Sequence, residues 1–171
     1  MSGVTLEVLY KDDELRRRTR VLQRSLSRAN FGGLLAEIGE TVKTQTMRRF
    51  EHETAPDGSR WSQSLRAKLE GGQTLTDTGR LRDSITYAVA MDNGSVEVGT
   101  NVVYAAIHQE GGVITAKTSK GLRFRIGGVW ATKRQVEIPA RPYLGLNAED
   151  ESDLDDVIQA WAKEQVEGAF R

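Results

Sequence analysis

Residues 85–98 constrain the fold most. Ile85, Tyr87 and Val89 alternate with Thr86 and Ala88, and after Asp92-Asn93-Gly94-Ser95 the alternation resumes at Val96 and Val98. A repeat of two places successive side chains on opposite faces of an extended strand. Asn-Gly tolerates positive φ at both central positions of a tight turn, so the two runs are predicted to pair as an antiparallel hairpin. A second tract follows the same rule: Leu122, Phe124 and Ile126 alternate with Arg123 and Arg125, Gly127-Gly128 turns the chain, and Val129-Trp130-Ala131 returns. Its arginine-bearing face predicts an extended, partly exposed hairpin.

Helical spacing dominates elsewhere. From Asp12 to Ala29, Leu15, Leu22 and Leu26 recur near the helical repeat, with Asp12 or Asp13 placed to cap the first turn. Asn30-Phe31-Gly32-Gly33 interrupts. Leu34, Leu35, Ile38, Val42 and Phe50 then form a second stripe, with Met47 on it or beside it, predicting a long helix with one buried face. Near the end, Asn147 or Ser152 can cap a helix whose first turns hold six acids between Glu149 and Asp156. Leu154, Ile158, Trp161 and Gln165 give that helix one face.

The remaining segments are shorter. Val4, Leu6, Val8 and Tyr10 alternate as an opening strand. A long loop is expected over 52–79, with Pro56-Asp57-Gly58 a turn by its own chemistry. Within it Ser64 to Leu69 form a short helical turn ended by Gly71-Gly72, and Thr78-Gly79 bends the chain into the next strand. Tyr104 to Gln109 reads as a helical turn or a strand end, closed by Gly111-Gly112, and Val136 and Ile138 suggest a strand ending at Pro139. The expected architecture is α+β, one domain over residues 1–171. It has two N-terminal helices, an antiparallel sheet built from hairpins plus edge strands, a C-terminal amphipathic helix and a projecting hairpin.

Composition narrows the chemistry. Twenty-four basic and 24 acidic residues cancel, leaving no global charge to favour nucleic acid or an anionic membrane. With no cysteine there are no disulfides, thiolate nucleophiles or cysteine metal sites. The start, Met1-Ser2-Gly3-Val4, lacks a basic region followed by an apolar run, so the chain is read as cytoplasmic at synthesis. His52 and His108 are the only histidines and share no ligand-bearing helical spacing. His52 reads as a solvated loop residue and His108 as part of a hydrogen-bonded junction. Ser62, Ser64 and Ser84 have no nucleophile elbow around them, and neither Gly-Gly pair belongs to a phosphate loop. No catalytic, metal or cofactor residue is assigned.

Six arginines lie between Arg16 and Arg28 with no acid among them, and Arg16, Arg20, Arg24 and Arg28 share one helical face. That face could be solvated, could touch phosphates without reading sequence, or could meet the acidic start of the last helix, Asp153 and Asp156 included, on a neighbouring subunit. Ile138-Pro139-Ala140-Arg141-Pro142-Tyr143-Leu144-Gly145 is held extended by its two prolines, a rigid crossing into the last helix. Trp61 reads as an anchor for the long loop.

Four segments in this order resemble the phage virion morphogenesis family over about residues 30 to 165. They are Pro56-Asp57-Gly58-Ser59-Arg60-Trp61, then Leu75 to Ile85 with Gly79 and Leu81, then Tyr104 to Gly112 with His108, Gln109 and Gly111, and finally Ile138 to Gly145. The family commonly has Phe where Tyr143 stands. The resemblance implies a structural protein rather than an enzyme. It would form a homo-oligomeric ring, hexameric, at the phage neck or tail end, meeting the tail tube or tail terminator and the head connector. The same resemblance implies assembly in the host cytoplasm, no membrane contact, no cofactor, and DNA passage without sequence-specific binding. A nucleic-acid-binding accessory protein using the Arg16 to Arg28 face is the alternative. The candidate contact arm is the hairpin from Lys117 to Arg134, with Lys120, Arg123, Phe124, Arg125 and Trp130, expected to be mobile until it meets a partner.

Overall fold

The computed structural model describes residues 31–91 and 94–169, together with Arg17, Arg20 and Val21. The opening strand and most of the arginine-rich helix, Arg16, Arg24 and Arg28 included, lie outside the described residues; Arg17, Arg20 and Val21 are helical. Two compact units divide the chain, Phe31–Val157 and a second formed by Met1–Asn30 with Ile158–Arg171.

The larger unit opens with helix α1, Phe31–His52, followed by two short helices, α2 (Leu65–Glu70) and α3 (Arg80–Asp83). Strands β1 (Thr86–Ala90) and β2 (Ser95–Gly99) pair antiparallel, Tyr87 opposite Val98. Helix α4 (Ala105–Glu110) leads into β3 (Gly112–Thr115), β4 (Leu122–Ile126), β5 (Val129–Lys133) and β6 (Gln135–Ile138). Strand β4 pairs with β5, and β3 with β6, so residues 112–138 form one hairpin nested on another. Ala116 N–H donates to the Arg134 carbonyl at 2.8 Å, continuing the ladder across the break. Helix α5, Ala148–Ala169, ends the described chain.

The fold is α+β as expected, but its hairpins remain three separate two-stranded ribbons rather than one sheet. Helix α1 starts at Phe31 and runs through the glycine pair predicted to interrupt it; packing of an amphipathic face outweighs local propensity. Its buried face is more polar than the apolar stripe implied, combining Leu34 and Phe50 with Gln45, Thr46 and Arg49. Gly39 is buried on the same helix because a Cβ there would lie 2.6 Å from the Tyr87 ring and 2.9 Å from Val96, so glycine lets α1 approach the first hairpin.

Residues 52–79 are more ordered than a long loop. Thr54 bridges Arg60, Trp61 N–H donates to the Glu53 carbonyl at 2.8 Å, and the Asp57 carboxylate accepts from the Ser59 N–H and hydroxyl at 2.9 and 2.6 Å, closing the Pro56-Asp57-Gly58 turn. Ser64 caps α2 through the Ala67 N–H, and Gly71 stops it. One turn of helix, α3, follows the Thr78-Gly79 bend before the strand begins, so Ile85 enters the core rather than β1. The segment after Tyr104 resolves as helix, Ala105–Glu110, rather than a strand end. The core gathers Phe50, Ala55, Trp61, Leu81, Ile85, Ala105 and Tyr143.

In the smaller unit, α5 from Ile158 keeps Trp161 and Gln165 half-buried, while Ile158 is exposed.

Candidate functional site

The crossing between β6 and α5 is where the segments singled out in the sequence meet. Prolines at 139 and 142 hold it extended and remove two backbone donors. Three of the remaining N–H groups and four carbonyls are matched individually. Arg141 N–H donates to the His108 carbonyl at 2.7 Å. The Gln109 side-chain oxygen accepts from Tyr143 and Leu144 N–H at 3.0 and 3.1 Å, and its amide nitrogen donates to the Leu144 carbonyl at 2.8 Å. One glutamine thus does for the crossing what a neighbouring strand would do. Gly111 is required beside it: its φ is 74°, and a Cβ would lie 2.6 Å from the Ala140 nitrogen.

Aromatic packing fixes the same segment from below. Tyr143 is buried with its ring 5.2 Å from Phe50, and Phe50 meets Trp61 edge-on at 5.5 Å. Such pairs contribute about 0.5–1.5 kcal/mol beyond area burial. Each polar tip has a partner: Tyr143 hydroxyl donates to the Ala105 carbonyl at 3.2 Å, and Trp61 Nε1 to the Pro142 carbonyl at 2.8 Å. Burial pushes the Tyr143 phenol above its ordinary value.

A charged network secures the entry to α5. Buried Arg49 donates to the Tyr143 and Gly145 carbonyls at 3.1 and 2.7 Å and pairs with the Asp150 carboxylate. Asp150 also accepts from Asn147 N–H at 2.9 Å, while Asn147 Oδ1 accepts from Asp150 N–H at 2.8 Å, a reciprocal helix cap. Asn147 Nδ2 reaches the Pro56 carbonyl at 2.8 Å, and Gln45 Nε2 donates to Asp153 at 3.1 Å.

A cavity of about 300 Å³ opens beside the crossing, lined by Arg66, Thr78, Arg80, Tyr104, His108 and Arg141 among others. Burial, with the positive Arg141 adding to it, holds His108 below the ordinary histidine range.

The nested hairpin is built on the opposite plan. Val113, Ile114, Val129 and Trp130 are exposed, as are Lys117, Lys120, Arg123, Arg125, Lys133 and Arg134. The Arg123 guanidinium lies 4.5 Å over the Trp130 ring, and the half-buried Leu122, Phe124 and Ile126 share the other face of β4. The turn is seated on the same subunit, since the Glu70 carboxylate accepts from Gly127 N–H at 2.6 Å.

The structure therefore brings Trp61, His108, Gln109, Arg141, Tyr143 and Leu144 together at the crossing and Leu81 and Ile85 into the core beneath it. It does not bring the predicted hairpin residues there. Asp153 and Asp156 are exposed on α5, and Arg20 is exposed on its helical segment. Sequence reasoning missed Arg49, Asp150 and Gln45. The signal existed: Arg49 sits seven residues after Val42 on the stripe of α1, and an arginine on a core face demands a buried partner.

Residues 11–163 match the model of the phage virion morphogenesis family. The chain is 35% identical over 131 residues to the Mu-like prophage FluMu G protein 2 of Haemophilus influenzae, covering 77% of this chain and 78% of that protein. It is 30% identical over 143 residues to the putative capsid assembly protein G of Escherichia phage Mu, covering 78% of each. No solved structure matches the chain.

Proposed function

The chain belongs to the phage virion morphogenesis family, and from that premise we propose that it forms a ring at the neck or tail end of a phage or prophage particle, completing the tail or joining it to the head. Its role is structural and lies in particle assembly. The finer reading rests on one observation. The side chains at the crossing are turned inward onto carbonyls and aromatic rings, whereas the nested hairpin exposes its cations together with Val113, Ile114, Val129 and Trp130.

Charge supports contact between copies. Residues 116–134 carry six cations and no acid. The first turns of α5 expose Glu149, Glu151, Asp153, Asp155 and Asp156. Unlike patches on one chain favour head-to-tail contacts, which close into a ring when the rotation allows. On the family resemblance we infer a ring of six copies, with residues 1–171 acting as one morphogenesis domain. One ring face meets the tail tube or tail terminator and the other the head connector.

Replacing 118–129 with a short Gly-Ser turn tests this. The subunit should fold but fail to enter particles, read by complementation of a deletion phage and electron microscopy. Normal tailed particles would show the hairpin dispensable, and an unfolded product would place it in the core.

A further inference from the structure

Two arginines in this fold are almost equally buried and differ in one respect. Arg49, 6% exposed, has the Asp150 carboxylate and two carbonyls. Arg141, 5% exposed, has one side-chain hydrogen bond among the described residues, from Nε to the Ser62 carbonyl at 2.7 Å, and belongs to none of their ion pairs. Its two terminal nitrogens, with four N–H groups in a planar fork, are left without a partner among those residues, and Arg141 lines the cavity beside the crossing. A cation this buried, with no counter-ion among the described residues and its terminal nitrogens open to the cavity, is placed to receive an anion.

The cavity also carries one carboxylate, Asp77, which Arg66 answers, and its other walls agree. Arg80 lines it and is exposed with no ion pair among the described residues. Arg66 is already bonded to the Gly71 and Gln73 carbonyls and lies 3.8 Å from Asp77. His108 Nδ1 is buried, without a hydrogen-bond partner among the described residues, on a residue of the same wall. Leu75 and Leu81 supply apolar surface.

We propose that this cavity is an oxyanion site, occupied in the assembled particle by a carboxylate side chain of a neighbouring copy of the chain. The guanidinium fork matches a carboxylate in two-point geometry, and the leucines suit the methylene stem of an acidic side chain. Every copy carries exposed Glu149, Glu151, Asp155 and Asp156, which take part in no ion pair among the described residues. A free phosphate shares this chemistry. The source of the carboxylate rests on the ring reading above; the site itself does not.

The full chain is titrated calorimetrically with inorganic phosphate and with acetate, at ionic strength held constant with sodium chloride. Saturable binding is expected, weakened about tenfold or more in Arg141→Gln and more mildly in Arg80→Gln. Arg80 is exposed, so that variant keeps the test valid if Arg141→Gln fails to fold. No saturable binding of either anion, or binding unchanged in folded Arg80→Gln, overturns the site. Sedimentation then identifies the occupant. Phosphate should compete with self-association, and the combined variant E149Q/E151Q/D155N/D156N should lose association while keeping its phosphate affinity. Anion binding that leaves association untouched overturns the neighbour's carboxylate but not the ring. A chain that binds phosphate yet associates at no concentration overturns both the carboxylate source and the ring.

Discussion

The crossing at 139–145 and the hairpin at 112–138 are consecutive in the chain and solve the same problem in opposite ways. Each is extended backbone with few strand neighbours. The crossing obtains its partners from side chains: Gln109, Arg49 and Trp61 together bond the carbonyls of Pro142, Tyr143, Leu144 and Gly145 and the N–H groups of Tyr143 and Leu144. The hairpin obtains its backbone partners chiefly from itself, strand on strand, and leaves its cations, Val129 and Trp130 to solvent. The first arrangement has one geometry and tolerates little change. The second keeps its backbone pairing whatever the side chains are, so its surface is free to be used for contacts.

Truncation at the centre of the crossing should break it most severely. Tyr143→Ala removes a buried ring and the hydroxyl bond to Ala105, and a cost of about 3–5 kcal/mol in urea unfolding is expected. A loss under 1 kcal/mol would mean that the ring is not a core element.

Arg49→Met comes next, because it strands the Asp150 carboxylate in the interior. A loss of about 3–5 kcal/mol is expected, and Arg49→Met combined with Asp150→Leu should be less destabilised than the sum of the two single changes. Strict additivity in that cycle would show that the pair is not coupled.

A smaller effect concerns pH. His108 titrates below its ordinary value of 6.5 in the folded state, so the unfolded chain binds the proton first. The contribution is complete above that value and is lost as pH falls through it, levelling off once the folded histidine also protonates. Melting temperature should therefore decline below about pH 6.5, and the decline should be shallower in His108→Gln. Identical profiles for the two proteins would remove His108 as the cause.

The smallest stability effect belongs to the hairpin. Trp130→Ser at this exposed position should change unfolding free energy by only about 0.5 kcal/mol, yet reduce particle assembly. A large loss of stability would mean that the hairpin, like the crossing, is part of the core.

Much of this was legible in the chain because the signals were local. Alternation flanking Asn93-Gly94 and Gly127-Gly128 placed both hairpins, since a strand's two faces and a turn's φ are decided within a few residues. Asn147 capped α5 as its position suggested, and Ser64 and Gly71 bounded α2. The crossing was legible as rigid, because two prolines need no tertiary help. The glycine pair at 32–33 misled, because helix α1 draws its stability from a face packed far along the chain.

What only the tertiary structure decided is which polar side chains meet. The sequence by itself determined an α+β chain of hairpins and amphipathic helices and the segments that mark its family. It did not reveal that Arg49 would find Asp150, 101 residues away, or that Arg141 would be buried beside a cavity with no such partner among the described residues. Period and turn chemistry act over a few bonds, whereas a buried charge is balanced by whatever the fold brings within about 4 Å of it.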